Sequence, residues 1–344
     1  MIFFRKILFP FSLIYGLITF FRNYLFDIGV FKSYSFEIPI IAVGNLSVGG
    51  TGKTPQIEYL IRLLQPYYRV ATLSRGYKRH SKGFVLASKD TNAKDLGDEP
   101  FQYFCKFPTI QVAVDADRKN GIEKLMTLPN PPQIILLDDA FQHRKVNAGF
   151  YILLTAYNEL YCNDFVLPTG NLREFGKGAK RANLIIVTKC PENITEETQQ
   201  KIKKEINLNV PIFFTAIEYD EHVFSKTKRL SIKHILQTPK VLLAGIAKPE
   251  PFFELLKTDN DVILKYKDHH DFSETDLISI KSQACDKIII TTEKDYARLA
   301  DNIPSESLFY LPIKSKFVSN SNEFNSMIEG YIKKSSIAKN EIED

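Results

Sequence analysis

Residues 47–54 read Ser47-Val48-Gly49-Gly50-Thr51-Gly52-Lys53-Thr54, and this stretch decides the fold class of the chain. The apolar run at residues 39–43 indicates a buried strand before it, and residues 56–64 have helical periodicity after it. A strand, a glycine-rich turn, Gly-Lys-Thr and a helix in this order are typical of a loop that binds a nucleoside triphosphate. The backbone N–H groups of such a loop point at phosphate oxygens. Lys53 can reach the β- and γ-phosphates, and the hydroxyl of Thr54 can ligate Mg²⁺.

One position departs from the usual phosphate-loop pattern, which has glycine where this chain has Ser47. We expect Gly49 and Gly50 to supply the flexibility instead. The alternative is a glycine-rich turn of another Rossmann-like protein, but the flanking strand and helix favour the phosphate loop. We expect ATP rather than GTP, because the guanine-reading pattern Asn/Thr-Lys-x-Asp is matched only by Thr188-Lys189-Cys190-Pro191, which has proline at the aspartate position.

Length and composition limit the classes of protein that this chain can represent. Its 344 residues suggest about two domains with a substantial core. The formal net charge of +5 comes without a long Lys/Arg run, so we expect no nucleic-acid partner. This charge fits an anionic ligand or an anionic membrane surface. The four cysteines are widely spaced without a C-x-x-C pattern, so they indicate neither a disulfide framework nor a zinc site.

The first 30 residues differ in composition from the rest of the chain. Residues 7–21 carry no charge, but this run is shorter than the roughly 18 residues that a spanning helix needs. A helix here has a polar stripe of Arg5, Ser12, Gly16, Thr19 and Asn23, opposite an apolar face of Phe4, Leu8, Phe11, Tyr15, Ile18 and Leu25. We expect a helix that lies in a membrane interface, with basic residues near the headgroups. The alternatives are an N-terminal helix packed on the domain and a single span.

Apolar runs that alternate with helical or loop segments predict an α/β fold. We expect a P-loop NTPase-like, mostly parallel sheet with helices on both faces, and a smaller C-terminal α/β lobe. The predicted strands lie at residues 40–43, 70–73, 110–114, 134–137, 151–154 and 184–187, with a second series at 212–215, 241–244, 262–266, 288–291 and 308–311. The predicted organisation is a membrane-associating helix at 1–30, a P-loop lobe at 31–215, a hinge at 216–238, a C-terminal lobe at 239–333 and a loose tail at 334–344.

Polar residues follow several predicted strands, at the edge where parallel α/β sheets bind their ligands. Asp138 and Asp139 end one strand, and beside a phosphate loop an aspartate at this position holds Mg²⁺. His143 follows closely and is either structural or catalytic. The segment Gly97-Asp98-Glu99-Pro100 is either a helix cap or the place of a general base.

Further loops carry candidate groups. Arg75 offers a cation after a strand, and the segment Asn171-Leu172-Arg173-Glu174 places a cation and a carboxylate in one loop. The segment Asp268-His269-His270-Asp271 is either a metal site or a carboxylate–histidine acid/base pair. The pair is favoured because adjacent side chains diverge. Thr292-Glu293-Lys294-Asp295 ends a strand and could equally start a solvated helix.

In this order the motifs resemble those of tetraacyldisaccharide 4′-kinase, the lipid A 4′-kinase family. The resemblance spans almost the whole chain, including the first helix, and it rests on residues 43–55, 74–77, 97–100, 137–143, 171–174, 268–272 and 292–295. Ser47 belongs to this family's version of the loop. Ala140 stands where the family usually has glycine, and we expect it only to restrict the backbone after Asp139.

The resemblance implies an activity and roles for the site residues. The family transfers the γ-phosphate of ATP to the 4′-hydroxyl of a tetraacyl glucosamine disaccharide 1-phosphate, giving lipid IVA, at the cytoplasmic face of the inner membrane. By resemblance, residues 47–54 bind Mg²⁺-ATP, with Lys53 also catalytic. Asp98 is then the base, assisted by His269, while Thr54 and Asp138 serve the metal and Asp139 the reacting groups. The residues expected to line the site are Arg75, Gln142, His143, Asn171, Arg173 and Glu174.

The resemblance also implies partners. They are the acylated disaccharide lipid and the inner-membrane surface, and we expect a monomer. The alternative function is that of a membrane-associated P-loop ATPase that acts as a switch or assembly factor. Acceptor-dependent consumption of ATP distinguishes these two functions.

Overall fold

The structure is a computed structural model that describes Arg5 and residues 7–343, without the side chains of residues 336–343. Residues 1–4, Lys6 and residue 344 lie outside the described part of the chain. Phe4 of the predicted membrane-associating segment therefore lies outside the described residues, as does the last residue of the predicted tail.

Two sheets, each covered by helices on both faces, organise the described part of the chain. The first strands are β1 (Ile40–Asn45), β2 (Val70–Ser74), β3 (Val85–Leu86), β4 (Gln111–Val114), β5 (Ile134–Asp138), β6 (Phe150–Ala156), β7 (Leu184–Thr188) and β8 (Ile212–Tyr219). The later strands are β9 (His222–Phe224), β10 (Arg229–Ser231), β11 (Lys240–Ala244), β12 (Val262–Lys265), β13 (Ile288–Thr292), β14 (Leu308–Leu311) and β15 (Ile313–Phe317).

Helices connect most of these strands. They are α1 (Phe9–Asp27), α2 (Lys53–Leu64), α3 (Ala93–Leu96), α4 (Asp98–Lys106), α5 (Arg118–Met126), α6 (Glu196–Ile206), α7 (Ile232–Ile235), α8 (Glu250–Leu256), α9 (Glu274–Ala284), α10 (Glu293–Leu299) and α11 (Ser321–Glu343). Among the residues described, no helix combines the length and the apolar character that crossing a bilayer requires.

The first sheet confirms the predicted mostly parallel architecture. Its strands lie in the order β15-β8-β7-β6-β1-β5-β2-β4-β3, and β1 pairs in parallel with both neighbours. Side chains alternate along a strand, so Ile41 and Val43 pack toward α2 while Ile40 and Ala42 pack toward α5. The glycine-rich loop therefore leaves the carboxyl end of a central strand that is buried on both faces.

The second sheet forms the smaller α/β lobe. Its order is β10-β9-β14-β13-β11-β12, with parallel pairing from β14 to β12 and an antiparallel hairpin of β9 and β10 at one edge. This hairpin and α7 lie within residues 216–238, which the sequence predicts as an irregular hinge. The apolar alternation of these strands is too short and too interrupted by polar side chains to reveal them.

Several segments belong to a different sheet from the one that the sequence suggests. The run at 212–215 belongs to the second predicted series of strands, although the predicted P-loop lobe includes it, and it begins β8, which pairs in parallel with β7 of the first sheet. β15, within the predicted C-terminal lobe, pairs antiparallel with β8. α11 packs Phe324 against Phe213 and Phe317, and its backbone stays helical to Glu343, through most of the predicted loose tail. Apolar patterns do not show which sheet a strand joins, and the domain limits stay a prediction.

Helix α1 packs its polar stripe, rather than its apolar face, on the rest of the protein. Ser12 and Gly16 are buried, and Nδ2 of Asn23 donates to Oε2 of Glu174 at 2.6 Å. A Cβ atom at residue 16 would lie 2.4 Å from Cζ of Phe175, so glycine permits this approach. The side chains exposed by more than half include Phe11, Ile14, Ile18 and Phe21. The polar stripe therefore docks on the protein, at Glu174 and Phe175, while the apolar face stays exposed.

A buried ionic network joins the helices of the two sheets. Nζ of Lys106 in α4 lies 2.8 Å from Oε2 of Glu58 in α2 and 2.5 Å from Oε1 of Glu293 in α10. Both glutamates are buried. Burial, and then the charge of Glu58, raises the pKa of Glu293 to about 7, although Lys106 opposes this shift. One lysine thus serves two carboxylates.

We expect Glu293→Gln to flatten the pH dependence of stability. Because its pKa is raised in the folded state, protonated Glu293 contributes stability that is complete below its ordinary pKa of 4.5 and is lost as the pH rises through about 7. Between about pH 5 and pH 8 the wild-type free energy of unfolding should fall by about 1–3 kcal/mol relative to the variant. Urea unfolding at both pH values measures this, with exposed Glu196→Gln as the control. Parallel pH dependences in wild type and Glu293→Gln contradict the assignment.

Candidate active site

The glycine-rich loop adopts the backbone that a phosphate site requires. Gly49 and Gly52 have φ angles of 106° and 83°, in the left-handed region that glycine adopts without strain. Helix α2 begins directly afterwards at Lys53, so its free N–H groups and its positive dipole end face the loop. Oγ1 of Thr188 donates to the carbonyl of Thr51 at 2.7 Å and fixes the loop against β7.

A second loop lies beside the first. The N–H of Val48 donates to the carbonyl of Asn171 at 2.8 Å, and the N–H of Arg173 donates to the carbonyl of Leu46 at 2.7 Å. These backbone bonds hold the predicted lining segment 171–174 against the glycine-rich loop. The sequence placed both loops at the site without revealing that they pair.

Asp139 lies between two cations just after β5. Nζ of Lys53 is 3.5 Å from Oδ1 of Asp139, and Nη1 of Arg173 donates to both carboxylate oxygens at 2.9 and 3.0 Å. Burial raises the pKa of Asp139, but Lys53 and Arg173 outweigh it and leave this pKa below its ordinary value. The positive φ of 49° falls on Asp139, a residue type that tolerates it, and not on Ala140. Alanine at 140 is therefore compatible with this turn.

Asp138 is the candidate metal ligand. It is 6% exposed, and Oδ2 accepts a hydrogen bond from the hydroxyl of Tyr103 at 3.2 Å. Oδ1 is buried and has no partner among the described residues. Burial, and then the charge of Asp139, raises the pKa of Asp138 to about 6. A buried carboxylate oxygen without a partner fits a bound cation.

The donor set fits a metal that is held mainly by phosphates. Within the described residues, no group of three or more His, Cys, Asp or Glu side chains could hold a metal ion. Mg²⁺ in nucleotide sites is typically bound through one or two protein oxygens, with phosphates and waters as its other ligands. Thr54, at the start of α2, and Asp138, at the end of β5, suit such a site.

Asp98 and His269 come together from different lobes. Asp98 is the first residue of α4, and His269 follows β12 of the second sheet. Nδ1 of His269 lies 3.2 Å from Oδ2 of Asp98. His270 faces away, with Nε2 at 3.0 Å from Oδ2 of Asp276. The two adjacent histidines therefore pair with different carboxylates.

Arg298 of α10 joins this pair, and the sequence analysis did not select it. Its Nε donates to Oδ2 of Asp98 at 3.1 Å, its Nη2 donates to the same oxygen, and Nη2 lies 2.9 Å from Nδ1 of His269. Burial raises the pKa of Asp98, but its contacts with His269 and Arg298 outweigh burial and hold this pKa well below its usual range. The only signal in the sequence was the i, i+4 spacing of Lys294 and Arg298, which puts two cations on one helix face.

Gln142 and Glu174 connect the loops around Asp139. Nε2 of Gln142 donates to the carbonyl of Asn45 at 2.9 Å and to Oε1 of Glu174 at 3.1 Å. Oε1 of Gln142 lies 3.5 Å from Nη1 of Arg173. Glu174 is buried, and it also accepts from Arg181 and Asn23. These side chains lie together beside Asp139, and their role in lining the active site stays a prediction from the resemblance.

Helix α1, and Arg5 four residues before its start, contact the loop at residues 171–174. Oδ1 of Asn171 accepts hydrogen bonds from Nη1 and Nη2 of Arg5 at 3.2 and 3.1 Å. The hydroxyl of Tyr15 donates to the carbonyl of Arg173 at 3.0 Å, so Tyr15 faces the protein although the helical wheel puts it on the apolar side. The candidate membrane helix is thus built into the site.

Two predicted lining residues make no side-chain bond to the site carboxylates. Arg75 is exposed, and no hydrogen bond or ion pair joins its side chain to a described residue. His143 is partly buried, and burial, and then the nearby charge of Arg118, lowers its pKa to about 4. Its Nε2 has no hydrogen-bond partner among the described residues. A neutral imidazole is therefore present at neutral pH.

Arg118 is a second residue that sequence reasoning missed. It is 2% exposed, and its Nη2 donates to the carbonyl of Asp138 at 3.4 Å. Burial lowers the pKa of Arg118 to about 10, although Asp138 and Asp139 raise it. No spacing pattern marks a buried arginine behind two aspartates, so only the structure reveals it.

Comparisons with known proteins agree with this geometry. Residues 4–333 match the family model described as tetraacyldisaccharide-1-P 4′-kinase. The chain is 61% identical over 337 residues to the tetraacyldisaccharide 4′-kinase of Flavobacterium psychrophilum, and this alignment covers 97% of this chain and 98% of that protein. It is 44% identical over 355 residues to the protein of the same name in Bacteroides thetaiotaomicron, and this alignment covers 96% of this chain and 93% of that protein.

A solved structure shares the fold. It is the LpxK of Aquifex aeolicus, described as an "apo" form in complex with ATP. It is 30% identical to this chain, with a TM-score of 0.78 over 96% of this chain and 99% of that protein. The expected fold class is therefore confirmed over almost the entire length.

Proposed function

The chain belongs to the tetraacyldisaccharide-1-P 4′-kinase family, and we propose on this premise that it transfers the γ-phosphate of ATP to the 4′-hydroxyl of a tetraacyl glucosamine disaccharide 1-phosphate. The product is lipid IVA, an intermediate of lipid A biosynthesis. The protein is thus an ATP-dependent lipid kinase. The alternative, a P-loop ATPase that serves as a switch, is not favoured by any relative named above.

One observation carries the proposal: helix α4 links the two halves of the site. Its first residue, Asp98, pairs with His269, and its Tyr103 donates to Asp138 beside the glycine-rich loop. A phosphoryl acceptor needs a proton acceptor next to the nucleotide site, whereas a simple switch does not. The single helix therefore ties a candidate base to a candidate metal ligand.

The residues divide the work of phosphoryl transfer among them. Bound Mg²⁺ supplies charge neutralisation on the phosphates, and Thr54 and Asp138 are assigned to hold it. The N–H groups of residues 47–54 and the ammonium of Lys53 bind the phosphates. Asp139 is assigned to the reacting groups, because Lys53 and Arg173 keep its carboxylate ionised.

Asp98 is assigned as the base. Every hydrogen bond to its side chain from the described residues reaches Oδ2, which leaves Oδ1 to accept the proton of an incoming hydroxyl. A carboxylate need not remove that proton fully, because the loose transition state of phosphoryl transfer requires little activation of the nucleophile. Nδ1 of His269, from the other lobe, lies beside the same Oδ2.

Acceptor-dependent turnover is the test of this function. The purified full chain is incubated with radiolabelled Mg²⁺-ATP in detergent, with and without the tetraacyl disaccharide 1-phosphate. We expect the label to move to the lipid, with little hydrolysis when the lipid is absent. ATP consumption that is equal with and without the lipid would favour the switch ATPase.

The exposed face of α1 supports a peripheral membrane location. Its apolar side chains are exposed, and the ring of Phe9 packs edge-on against the exposed ring of Phe165, with 6.2 Å between the ring centroids. An apolar face of this size on a helix anchored by its polar stripe suits burial in a lipid interface. We assign this interface to the cytoplasmic face of the bacterial inner membrane, where ATP and the lipid meet. The monomeric state remains a prediction.

We expect charge on this face to release the protein from membranes without damaging the site. Ile14 and Ile18 are 58% and 62% exposed, so Ile14→Asp/Ile18→Asp leaves the docked stripe intact. Losing two buried side chains of this size lowers vesicle partitioning by about 100-fold. Sedimentation with anionic vesicles measures it. Ile278→Asp, at a 68% exposed isoleucine of α9, is the matched control and should bind like wild type. Unchanged sedimentation of the double variant would rule out α1 as the anchor.

A further inference from the structure

Three polar side chains crowd around one point of the site: Asp98, His269 and Arg298. Oδ2 of Asp98 receives Nε and Nη2 of Arg298, and it also lies 3.2 Å from Nδ1 of His269. Nη2 of Arg298 lies 2.9 Å from that same Nδ1. Each of the three groups therefore touches the other two.

These three contacts cannot all be hydrogen bonds at once. A guanidinium only donates, and an ionised carboxylate only accepts, so the bond between Arg298 and Asp98 is always satisfied. Nδ1 of His269 either carries a proton and donates to Asp98, or carries a lone pair and accepts from Arg298. The shorter contact, to Arg298, favours the lone pair on Nδ1 and the proton on Nε2.

Arg298 is held in place from the second sheet. Its Nη1 donates to Oδ1 of Asp295 at 3.3 Å, and Oδ2 of Asp295 accepts from the N–H of Gly245 at 2.8 Å. The carbonyl of Gly245 accepts from the N–H of His269 at 3.1 Å. Gly245, directly after β11, thus holds His269 by its carbonyl and Arg298 through Asp295. Both side chains then contact Asp98 of α4.

We propose that Arg298 is a positioning residue for the base, which it holds through Oδ2 so that Oδ1 faces the hydroxyl, while it also selects the Nε2–H tautomer of His269. This inference rests on the proposed role of Asp98. It adds that the orientation and the charge of the Asp98 carboxylate depend on Arg298, a cation from the other lobe.

Other charged groups around Asp98 are already paired or more distant. Lys294 bonds Glu99 at 2.7 Å, one turn before Arg298 on the same face of α10, and it does not bond Asp98. The titratable groups that contact Asp98 or act on its charge are Glu99, His269, Lys294, Asp295 and Arg298. Around them, Tyr77 contacts His269, and Asp268 acts on Lys294. Arg298 is the cation in direct contact, so its removal should change Asp98 more than removal of Lys294.

The first experiment follows the ionisation of Asp98 by carbon-13 NMR of carboxyl-labelled full-length protein in detergent, with Asp98→Asn to identify the signal. In wild type the carboxylate should stay ionised from about pH 4 to pH 8. In Arg298→Gln we expect its pKa to rise by about one to three units, because burial is no longer opposed by a cation. Arg298→Lys should restore most of the low pKa, and Lys294→Gln should move it by much less. An unchanged pKa in folded Arg298→Gln overturns the proposal.

A second experiment needs no variant of Arg298. Nitrogen-15 NMR of labelled histidine, assigned with His269→Asn, reports which ring nitrogen of His269 carries the proton in the wild-type enzyme. We expect the proton on Nε2, and a proton on Nδ1 would overturn the tautomer assignment even if Arg298→Gln failed to fold.

Turnover separates the failure of this inference from failure of the proposed function. We expect Arg298→Gln to lower kcat with little change in the KM for ATP, and Arg298→Lys to recover part of it. If Asp98→Asn stays fully active, the role of Asp98 as base fails, and the inference fails with it. If Asp98→Asn is inactive while both NMR results are negative, the inference alone fails.

Discussion

Lys53→Ala should lower kcat by about 10²- to 10³-fold or more, and Thr54→Ala should lose a similar amount. Lys53 begins α2 directly after the left-handed Gly52, and its ammonium already lies 3.5 Å from Asp139. In phosphoryl transfer the protein contributes mainly positioning and charge stabilisation, so loss of this cation removes a large part of the acceleration. Thr54 is assigned to the metal, so we expect its loss to be partly recovered at high Mg²⁺ concentration.

The measurement is initial rate at saturating ATP and lipid acceptor, with circular dichroism to show that each variant is folded. Lys119→Ala is the matched control, because Lys119 forms an i, i+4 pair with Glu123 on the surface of α5. It should keep almost all of its activity. Near-wild-type turnover of folded Lys53→Ala would refute the assignment of the nucleotide site.

Asp98→Ala and His269→Ala should each lower kcat by about 10²- to 10⁴-fold, while the affinity for ATP falls far less. We assign both side chains to the acceptor hydroxyl, and neither makes a bond to the glycine-rich loop in the described part of the chain. Both contact each other and Arg298, so we expect them to act as one unit and the double variant to be little worse than the poorer single variant. Rates of the four enzymes and nucleotide binding to each are measured together.

His270→Ala is the matched control for the histidine. It removes the same ring one residue away, where the partner is Asp276 and not Asp98. We expect its turnover to stay within about threefold of wild type, because a partly exposed ion pair contributes little. Fully multiplicative losses in the double variant would mean that Asp98 and His269 act separately.

The sequence alone predicted the features that depend on neighbours along the chain. The glycine-rich loop, the strands around it and Asp138 at a strand end are all recognisable within a few residues, because backbone conformation and apolar periodicity are local properties. The parallel sheet follows from the alternation of strands and helices. Sheet membership was less predictable, and β8 and β15 show why, since an apolar strand can join any sheet that has an open edge.

The resemblance implied that His269 assists Asp98, but only the tertiary structure showed the contact between them and the place of Arg298 beside both. His269 lies 171 residues from Asp98, and Arg298 lies 200 residues from it, so no local pattern couples them. The helical wheel of α1 showed a polar and an apolar face. The structure showed that the polar face docks, because Glu174 and Asn171, in one loop, bond Asn23 and Arg5. The periodicity of the sequence determines which residues form the polar and the apolar face of a helix. What each face contacts depends on the surface that the rest of the chain forms beside it.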